Sequence, residues 1–344
     1  MFHPTQIGDN SAVPSAHSVM RRRIAGTLLF LFLAASTRCA SRSTLERPIP
    51  PRDSPPLTIR VAVGDDRHIQ ELHLEEYVRG SVPAEMPLAE PNATVASRLA
   101  QLQSILARTY ALANQGRHSH EGFDLCSTTH CQVYRSQASQ PRAVTQLVAN
   151  AVDLTTGLII TDGQGPIQAL FHADCGGQTS SATAIWGGEA PPYLSGVTDR
   201  LCVITPRDDW QLDVGRDQLR QILNTSRDTQ VGRRLDRIAV IQRDNAGRAT
   251  EVALEGATQK RVRGERLRSI ISGQLGGRAF RSALFTVEPH SNRFRFKGRG
   301  FGHGVGLCQL GAIARARRGH SVEAILAHYY PGTWLAPHAG WPPT

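Results

Sequence analysis

The sequence predicts a mixed α/β (α+β) fold: one domain over residues 57–344, with a cleft on one side and a smaller strand-bearing lobe over about residues 207–290. Three observations predict it. Stretches of two-residue hydrophobic period are interleaved along the chain with stretches of helical period. A hairpin signature stands inside a segment of different texture that begins near Arg207. Glycine then recurs at every second position, at 298, 300, 302, 304 and 306, directly ahead of a helical pattern.

The elements follow in order. Arg21, Arg22 and Arg23 precede the apolar run Ile24 to Ala35, and small residues continue to Ser36. That is a targeting segment over residues 1–39, too short for a comfortable membrane span. Cys39 is open to lipid attachment, although Arg38 fits that poorly, and an uncleaved anchor is the other route to a membrane. Residues 40–56, rich in Pro, Ser and Arg, read as a solvated linker. Leu57 to Val63 alternates as a strand does, and a short element from Leu72 ends near Gly80. Pro83 and Pro87 bracket Ala84, Glu85 and Met86, so no regular helix is expected there.

Asn92 is a natural N-cap for a helix reaching about Asn114, its apolar stripe running from Val95 through Leu99, Leu102, Leu106 and Tyr110. Ala143 to Val152 reads as a helix, Gly157 to Asp162 as a strand, and residues 166–178 as a strand entering a Gly-Gly turn. Val214 to Leu223 and Arg263 to Ile271 read as helices, and Arg293 to Lys297 as a strand. Ile238 to Arg243 and Ala249 to Leu254 flank a turn at Asp244 to Gly247. From Cys308 the pattern is helical, with Gly319 as a stop and Ser321 as the next cap.

Composition excludes some classes. Six cysteines in 344 residues do not make a small disulfide-stapled scaffold, and no long apolar run suggests a multi-span membrane protein. The net charge of +10 rests almost wholly on arginine, since only Lys260 and Lys297 are lysine. Nucleic-acid binding is one reading. Codon bias is the other, and the scattered arginines with no basic motif or binding module favour it. An exported chain is expected to meet anionic envelope surfaces instead of nucleic acid.

Two groups of residues carry chemistry. The polar loop 117–135 holds His120, Cys126 and Cys131, an imidazole and two thiols of the kind that hold zinc. A local Cys126–Cys131 disulfide is the rival in an oxidising compartment. The alternating glycines, in an extended chain, would present a bare face that another backbone can approach closely.

Six segments in one order carry a resemblance: LEEYVRGSVPAEMP (74–87), ARTYAL (107–112), DLCSTTHCQVY (124–134), FHADCGGQT (171–179), WGG to PYL (186–194) and residues 298–332. The chain resembles the SpoIID/LytB family over about residues 57–334. These are exported proteins of the bacterial cell wall, named for stage II sporulation protein D and an amidase enhancer. The resemblance implies a peptidoglycan lytic transglycosylase in the periplasm or cell envelope, acting on glycan strands already stripped of stem peptides.

The family's acid matches Glu85. Its apolar neighbours Val82, Pro83, Met86 and Pro87 would favour the protonated form needed to deliver a proton to a glycosidic oxygen. Glu75, Glu76 and Glu90 read as surface charges. His130 matches a histidine beside the active site, expected to orient substrate or tune Glu85. Tyr110, Tyr134, His172, Asp174, Phe301, His303 and Gln309 are the expected substrate contacts, with His172 and Asp174 on one face of a strand. Tyr329 and Tyr330 would stack on sugar or pack.

The resemblance allows structural zinc at His120, Cys126 and Cys131, and pairs Cys175 with Cys202 in a disulfide. Cys308, where the family usually has Ser, is left as a buried thiol; a Cys308–His303 protease is the remote enzyme alternative. The family's aromatic is absent at Leu310. The functional alternative is a non-catalytic peptidoglycan-binding enhancer of an N-acetylmuramoyl-L-alanine amidase.

Overall fold

The computed structural model describes residues 57–64, 66–203 and 209–338; the expected targeting segment and linker, residues 1–39 and 40–56, lie outside them. Among the described residues no helix is long and apolar enough to cross a membrane.

The chain opens with β1 (Thr58–Val63), antiparallel to β2 (His68–His73), and enters α1 (Leu74–Glu85) at once. The expected stop near Gly80 is absent, and α1 runs through Pro83 to Glu85. Pro83 lies in the last turn, where its missing N–H costs a single helical bond, and Met86 N–H closes the helix on Val82 O at 3.0 Å. Gly80 is a packing contact: a Cβ there would come within 2.3 Å of the Tyr134 ring.

α2 (Ala93–Ala113) is capped as expected, the Asn92 side chain accepting from Thr94 and Val95 N–H. It is the central post of the body. Leu99, Leu102 and Leu106 face one apolar cluster, and Ala107, Tyr110 and Ala111 face another. β3 (Leu125–Cys126) lies parallel to β1. α3 (Arg142–Leu154) and β4 (Leu158–Thr161) follow. The strand expected over 166–178 shrinks to β5 (Phe171–His172), because the chain turns at once to pair Asp174 with Phe301. α4 (Ala182–Trp186) and α5 (Arg200–Val203) are short.

The segment from residue 209 builds a core of its own around Trp210, Phe280, Phe285 and Phe296. It comprises β6 (Trp210–Gly215), α6 (Arg216–Leu223), β7 (Leu235–Arg243), β8 (Ala249–Gly256), β9 (Gln259–Val262), α7 (Gly264–Leu275), β10 (Phe285–His290) and β11 (Arg293–Gly298). β7, β8 and β9 form one antiparallel sheet, and β10, β11 and β6 another. The expected helix from Val214 starts two residues later, because Val214 is buried in β6 opposite Phe294.

The chain returns to the body through the glycine segment, then β12 (Leu307–Cys308), α8 (Gln309–Arg317), α9 (Val322–Tyr329) and β13 (Trp334–Pro337). β12 lies parallel to β5, and β13 pairs antiparallel with β4. The glycine segment is no extended strand: Gly300, Gly302, Gly304 and Gly306 have φ of 78°, 101°, 81° and 70°. That left-handed region favours glycine. The close approach it permits is there. A Cβ on Gly304 would lie 2.2 Å from the Arg248 guanidinium carbon. Arg248, fully buried, donates to Gln178 O (3.0 Å), Ser180 Oγ (3.2 Å) and Cys175 O (2.6 Å), clipping β8 to the body.

Two charges expected at the surface are structural. Arg108 is wholly buried and donates to both oxygens of Glu75 at 2.7 Å, and to Leu158 O at 3.0 Å. Glu90, its side chain 9 % exposed, is paired with Arg317 at 2.8 Å. Tyr329 and Tyr330 pack: their hydroxyls donate to Asp199 Oδ2 and Leu170 O, each at 2.6 Å.

Candidate active site

α1 ends at the floor of a cleft of about 660 Å³. Its last residue, Glu85, is half-buried there. Glu85 Oε1 accepts the Val133 N–H at 2.6 Å, and among the described residues no hydrogen bond holds Oε2. Burial pushes the Glu85 carboxyl above its ordinary range, and the Val133 hydrogen bond opposes this only in part. Gln309, at the start of α8, donates its side-chain N–H to the Glu85 backbone carbonyl at 2.8 Å. So Gln309 lines the cleft while one N–H of its amide anchors the end of α1.

The opposite wall carries His172, Trp186, Phe301 and His303. The His172 and His303 rings lie 5.5 Å apart, and His303 lies 5.3 Å from Trp186. Burial holds His172 well below the ordinary imidazole range. Burial, with Arg268 and Arg248 nearby, brings His303 to about 3. Both are therefore neutral near pH 7. His172 Nδ1 is 3.1 Å from Val305 O, and among the described residues its Nε2 has no hydrogen-bond partner. Tyr110 reaches the cleft from α2, and burial raises its phenol to about 12. Arg117, Arg268 and Arg278 also line the cleft, the last two from the smaller lobe.

Two expected contacts lie elsewhere. Tyr134 does not line the cleft; its ring stacks on Tyr77 at 5.6 Å and fills the space over Gly80. Asp174 is buried and turned away from His172, its Oδ1 accepting Gly176 N–H (2.8 Å) and standing 3.0 Å from Cys202 Sγ. The strict strand alternation that would put both on one face ends with β5 at His172. Cys175 and Cys202 are not bonded to each other, and Cys308 is no leftover, because its Sγ lies 3.6 Å from that of Cys202. The sequence reading missed Trp186 and the arginines. Trp186 is 45 % exposed, and its signal was its place at the head of the WGG segment that carries part of the resemblance.

The His/Cys loop forms the rim beside Glu85. His118, Cys126, His130 and Cys131 bring one donor atom each within 4.8 Å of one another. Cys131 Sγ is 3.3 Å from His118 Nε2, and His130 Nδ1 is 3.6 Å from both sulfurs. His120 is not in the group: its side chain is 77 % exposed and lies near Glu121. The short helical turn at Ser119–Glu121 points His118 inward against Phe123 and leaves His120 outside. His130 also lines the cleft. Burial opposes ionisation of Cys126, yet the hydrogen bonds of Thr128, Cys131 and His130 bring its thiol down to about 7. Two imidazoles and two thiols, one of them readily ionised, suit a tetrahedral zinc ion.

The sequence model described as stage II sporulation protein (SpoIID) matches residues 64–161, which contain Glu85, Tyr110 and the His/Cys loop. Stage II sporulation protein D of Bacillus amyloliquefaciens is 30% identical over 289 residues, covering 80% of this chain and 78% of that one. The chain belongs to the stage II sporulation protein D family.

The Bacillus subtilis protein of that name is 29% identical over 292 residues, 82% of this chain and 79% of its own. The amidase enhancer of Bacillus subtilis is 25% identical over 305 residues; the match spans 75% of this chain but 40% of the enhancer. A model described as a domain of unknown function (DUF8618) matches residues 207–306. The mixed α/β architecture expected of a SpoIID-type domain is the one observed. Most of the smaller lobe and the glycine segment lie within the DUF8618 match, whereas His172, Trp186 and Gln309 of the cleft lie outside both matched ranges.

Proposed function

We propose that the protein is an exported lytic transglycosylase of the cell envelope that cleaves peptidoglycan glycan strands. The observation that carries the reading is Glu85: a half-buried carboxyl, raised in pKa, with one oxygen fixed by Val133 and the other facing a cleft lined by rings. In the first step protonated Glu85 gives its proton to the glycosidic oxygen as the C1–O bond breaks. The leaving strand departs with a free hydroxyl. The resulting carboxylate then takes the proton of the sugar's own 6-hydroxyl, whose oxygen bonds to C1. The product is a 1,6-anhydro-muramyl end, no water is consumed, and Glu85 ends protonated as it began.

One carboxyl suffices because the second nucleophile is intramolecular, unlike the paired carboxylates of hydrolytic glycosidases. Trp186 and Phe301 offer faces for sugar rings, and His172 and His303 offer neutral polar contacts. A glycan freed of its peptides carries a lactyl carboxylate on each muramic acid. Arg117 and Arg278 suit that charge, Arg268 being paired with Glu265, so the preferred substrate is the denuded strand.

His118, Cys126, His130 and Cys131 would hold structural zinc. Such an ion would tie the loop in place two residues before Val133, the residue that fixes Glu85 Oε1. The test is mass spectrometry of denuded glycan after incubation with the wild-type chain and with Glu85→Gln. Anhydro-muramyl products from the wild type alone are expected. Equal product from Glu85→Gln would sink the assignment.

The amidase enhancer among the relatives supports a second reading, a non-catalytic peptidoglycan binder that stimulates a cell-wall amidase. The same arginine- and tryptophan-lined cleft would grip glycan without cutting it. Tight glycan binding with no anhydro product, together with faster amidase turnover in a reconstituted mixture, would decide for this reading.

A further inference from the structure

A second sulfur cluster lies buried behind the cleft, directly beneath Ala173 and Gln309 of its lining. Cys175 follows β5, Cys202 lies in α5, and Cys308 ends β12; all three are completely buried, and Asp174 is buried beside them. One donor atom from each of the four lies within 4.8 Å of the others. Cys202 Sγ stands 3.6 Å from Cys308 Sγ and 3.0 Å from Asp174 Oδ1. A tetrahedral ion with Zn–S bonds of about 2.3 Å requires sulfur pairs about 3.8 Å apart, close to the spacing present.

The surroundings are built for negative sulfur. Cys175 N–H donates to Cys308 Sγ at 3.2 Å, Gly177 N–H to Cys175 Sγ at 3.3 Å, and Gly311 N–H to Cys308 Sγ at 3.4 Å. A thiol that merely fills space has no use for such donors, whereas a metal-bound thiolate is stabilised and oriented by them. Outside this ring, buried Asp199 accepts Cys202 N–H at 3.3 Å and the Arg315 guanidinium at 3.1 Å. The Arg248 guanidinium sits on the carbonyl of Cys175 at 2.6 Å. Three thiolates and a carboxylate around a divalent ion leave net negative charge; the wholly buried Arg248 guanidinium offsets part of it, while Arg315 neutralises Asp199 beside the cluster.

We propose that Cys175, Cys202, Cys308 and Asp174 form a second metal site that takes zinc in a closed, structural tetrahedron. It is distinct from the half-exposed His/Cys loop, and with four protein donors it leaves no open position for chemistry. It would join β5, α5 and β12, three segments remote in sequence. Through Cys308 it would fix the start of α8, where Gln309 holds Glu85. The site does not depend on the activity proposed above.

The test uses the full chain, purified without chelator, and its Cys126→Ser/Cys131→Ser variant, which removes the loop thiols. Metal analysis of the variant is expected to retain one equivalent of zinc. Replacing zinc with cobalt(II) should produce intense tetrahedral bands and sulfur-to-metal charge transfer. Peptide-resolved alkylation should leave Cys175, Cys202 and Cys308 unmodified until a chelator is added with mild denaturant, and then label all three. Should the variant not fold, the same alkylation pattern and the zinc-edge sulfur count on the wild-type chain decide. Zinc-free protein with three free thiols overturns the proposal, and so does any peptide pair cross-linked between these cysteines before reduction.

Discussion

On one wall of the cleft, Glu85 ends a helix anchored by buried polar pairs. On the other, Trp186, Phe301, Arg268 and Arg278 offer ring faces and positive charge. The first wall is held by fixed contacts: Glu75 on Arg108, Val133 on Glu85 Oε1, Gln309 on the Glu85 carbonyl. The second is more exposed, and two of its arginines come from a lobe with its own core. Under the proposed reaction the difference is a division of labour. Proton transfer demands a carboxyl of fixed position and perturbed affinity, whereas grip on a long polymer is spread over contacts that each contribute a little.

That division is open to attack, beginning with Glu85. Glu85→Gln should lower turnover by about 10²–10⁴-fold, the usual worth of a general acid, with strand affinity nearly unchanged in a pull-down on purified glycan. Because its pKa is raised, the protonated form persists above the ordinary carboxylate range. Wild-type activity should therefore fall on the alkaline side as pH rises through that folded value. Stability carries the same sign. The folded state binds this proton more tightly than the unfolded chain, so Glu85 stabilises below the unfolded pKa, and that contribution is lost as pH rises through the folded one. Glu85→Gln should thus melt higher than wild type near neutral pH and show no such gain in acid. A variant equally stable at every pH would place the carboxyl in solvent.

Glu75→Gln probes the rigid wall itself. It leaves the wholly buried Arg108 without its counter-charge and should cost about 3–5 kcal/mol in urea unfolding. A loss typical of surface pairs would show that water reaches Arg108. Trp186→Ala should weaken glycan binding by about 1–3 kcal/mol, the range seen for ring-stacking platforms, raising KM while kcat holds. A fall in kcat alone would move Trp186 to the chemical wall. The smallest effect is expected for Cys131→Ser, which loosens the loop carrying Val133. We expect a few-fold loss of kcat and a shift in the pH profile, because the Val133 hydrogen bond lowers the Glu85 pKa. An unchanged profile would separate the loop from Glu85.

These same contacts mark what the sequence made legible. Local rules made α2 readable, since Asn92 needs only its own next turn to cap the helix. The β7–β8 hairpin was equally readable from Asp244 to Gly247. Glu85 was legible through motif order and not through spacing. What escaped was decided by distant partners. The end of α1 depends on Tyr134, some fifty residues on, packing over Gly80. Glu75 looked like solvent charge because Arg108 lies 33 residues away. His118 and His120 are equivalent on paper, and only a single helical turn with Phe123 beneath it chooses between them. Asp174 was placed by assuming a strand that stops two residues earlier.

Arg248 has a consequence for how the molecule melts. Two separate apolar cores in one chain invite two unfolding steps. Here a single guanidinium, that of Arg248 just ahead of β8, is enclosed by Gly304 and donates to Cys175, Gln178 and Ser180 of the body. Neither core can open without stranding that charge or those carbonyls away from water. The lobe and the body should therefore lose structure in one cooperative calorimetric transition. Arg248→Met should split that transition in two, with the smaller lobe melting first.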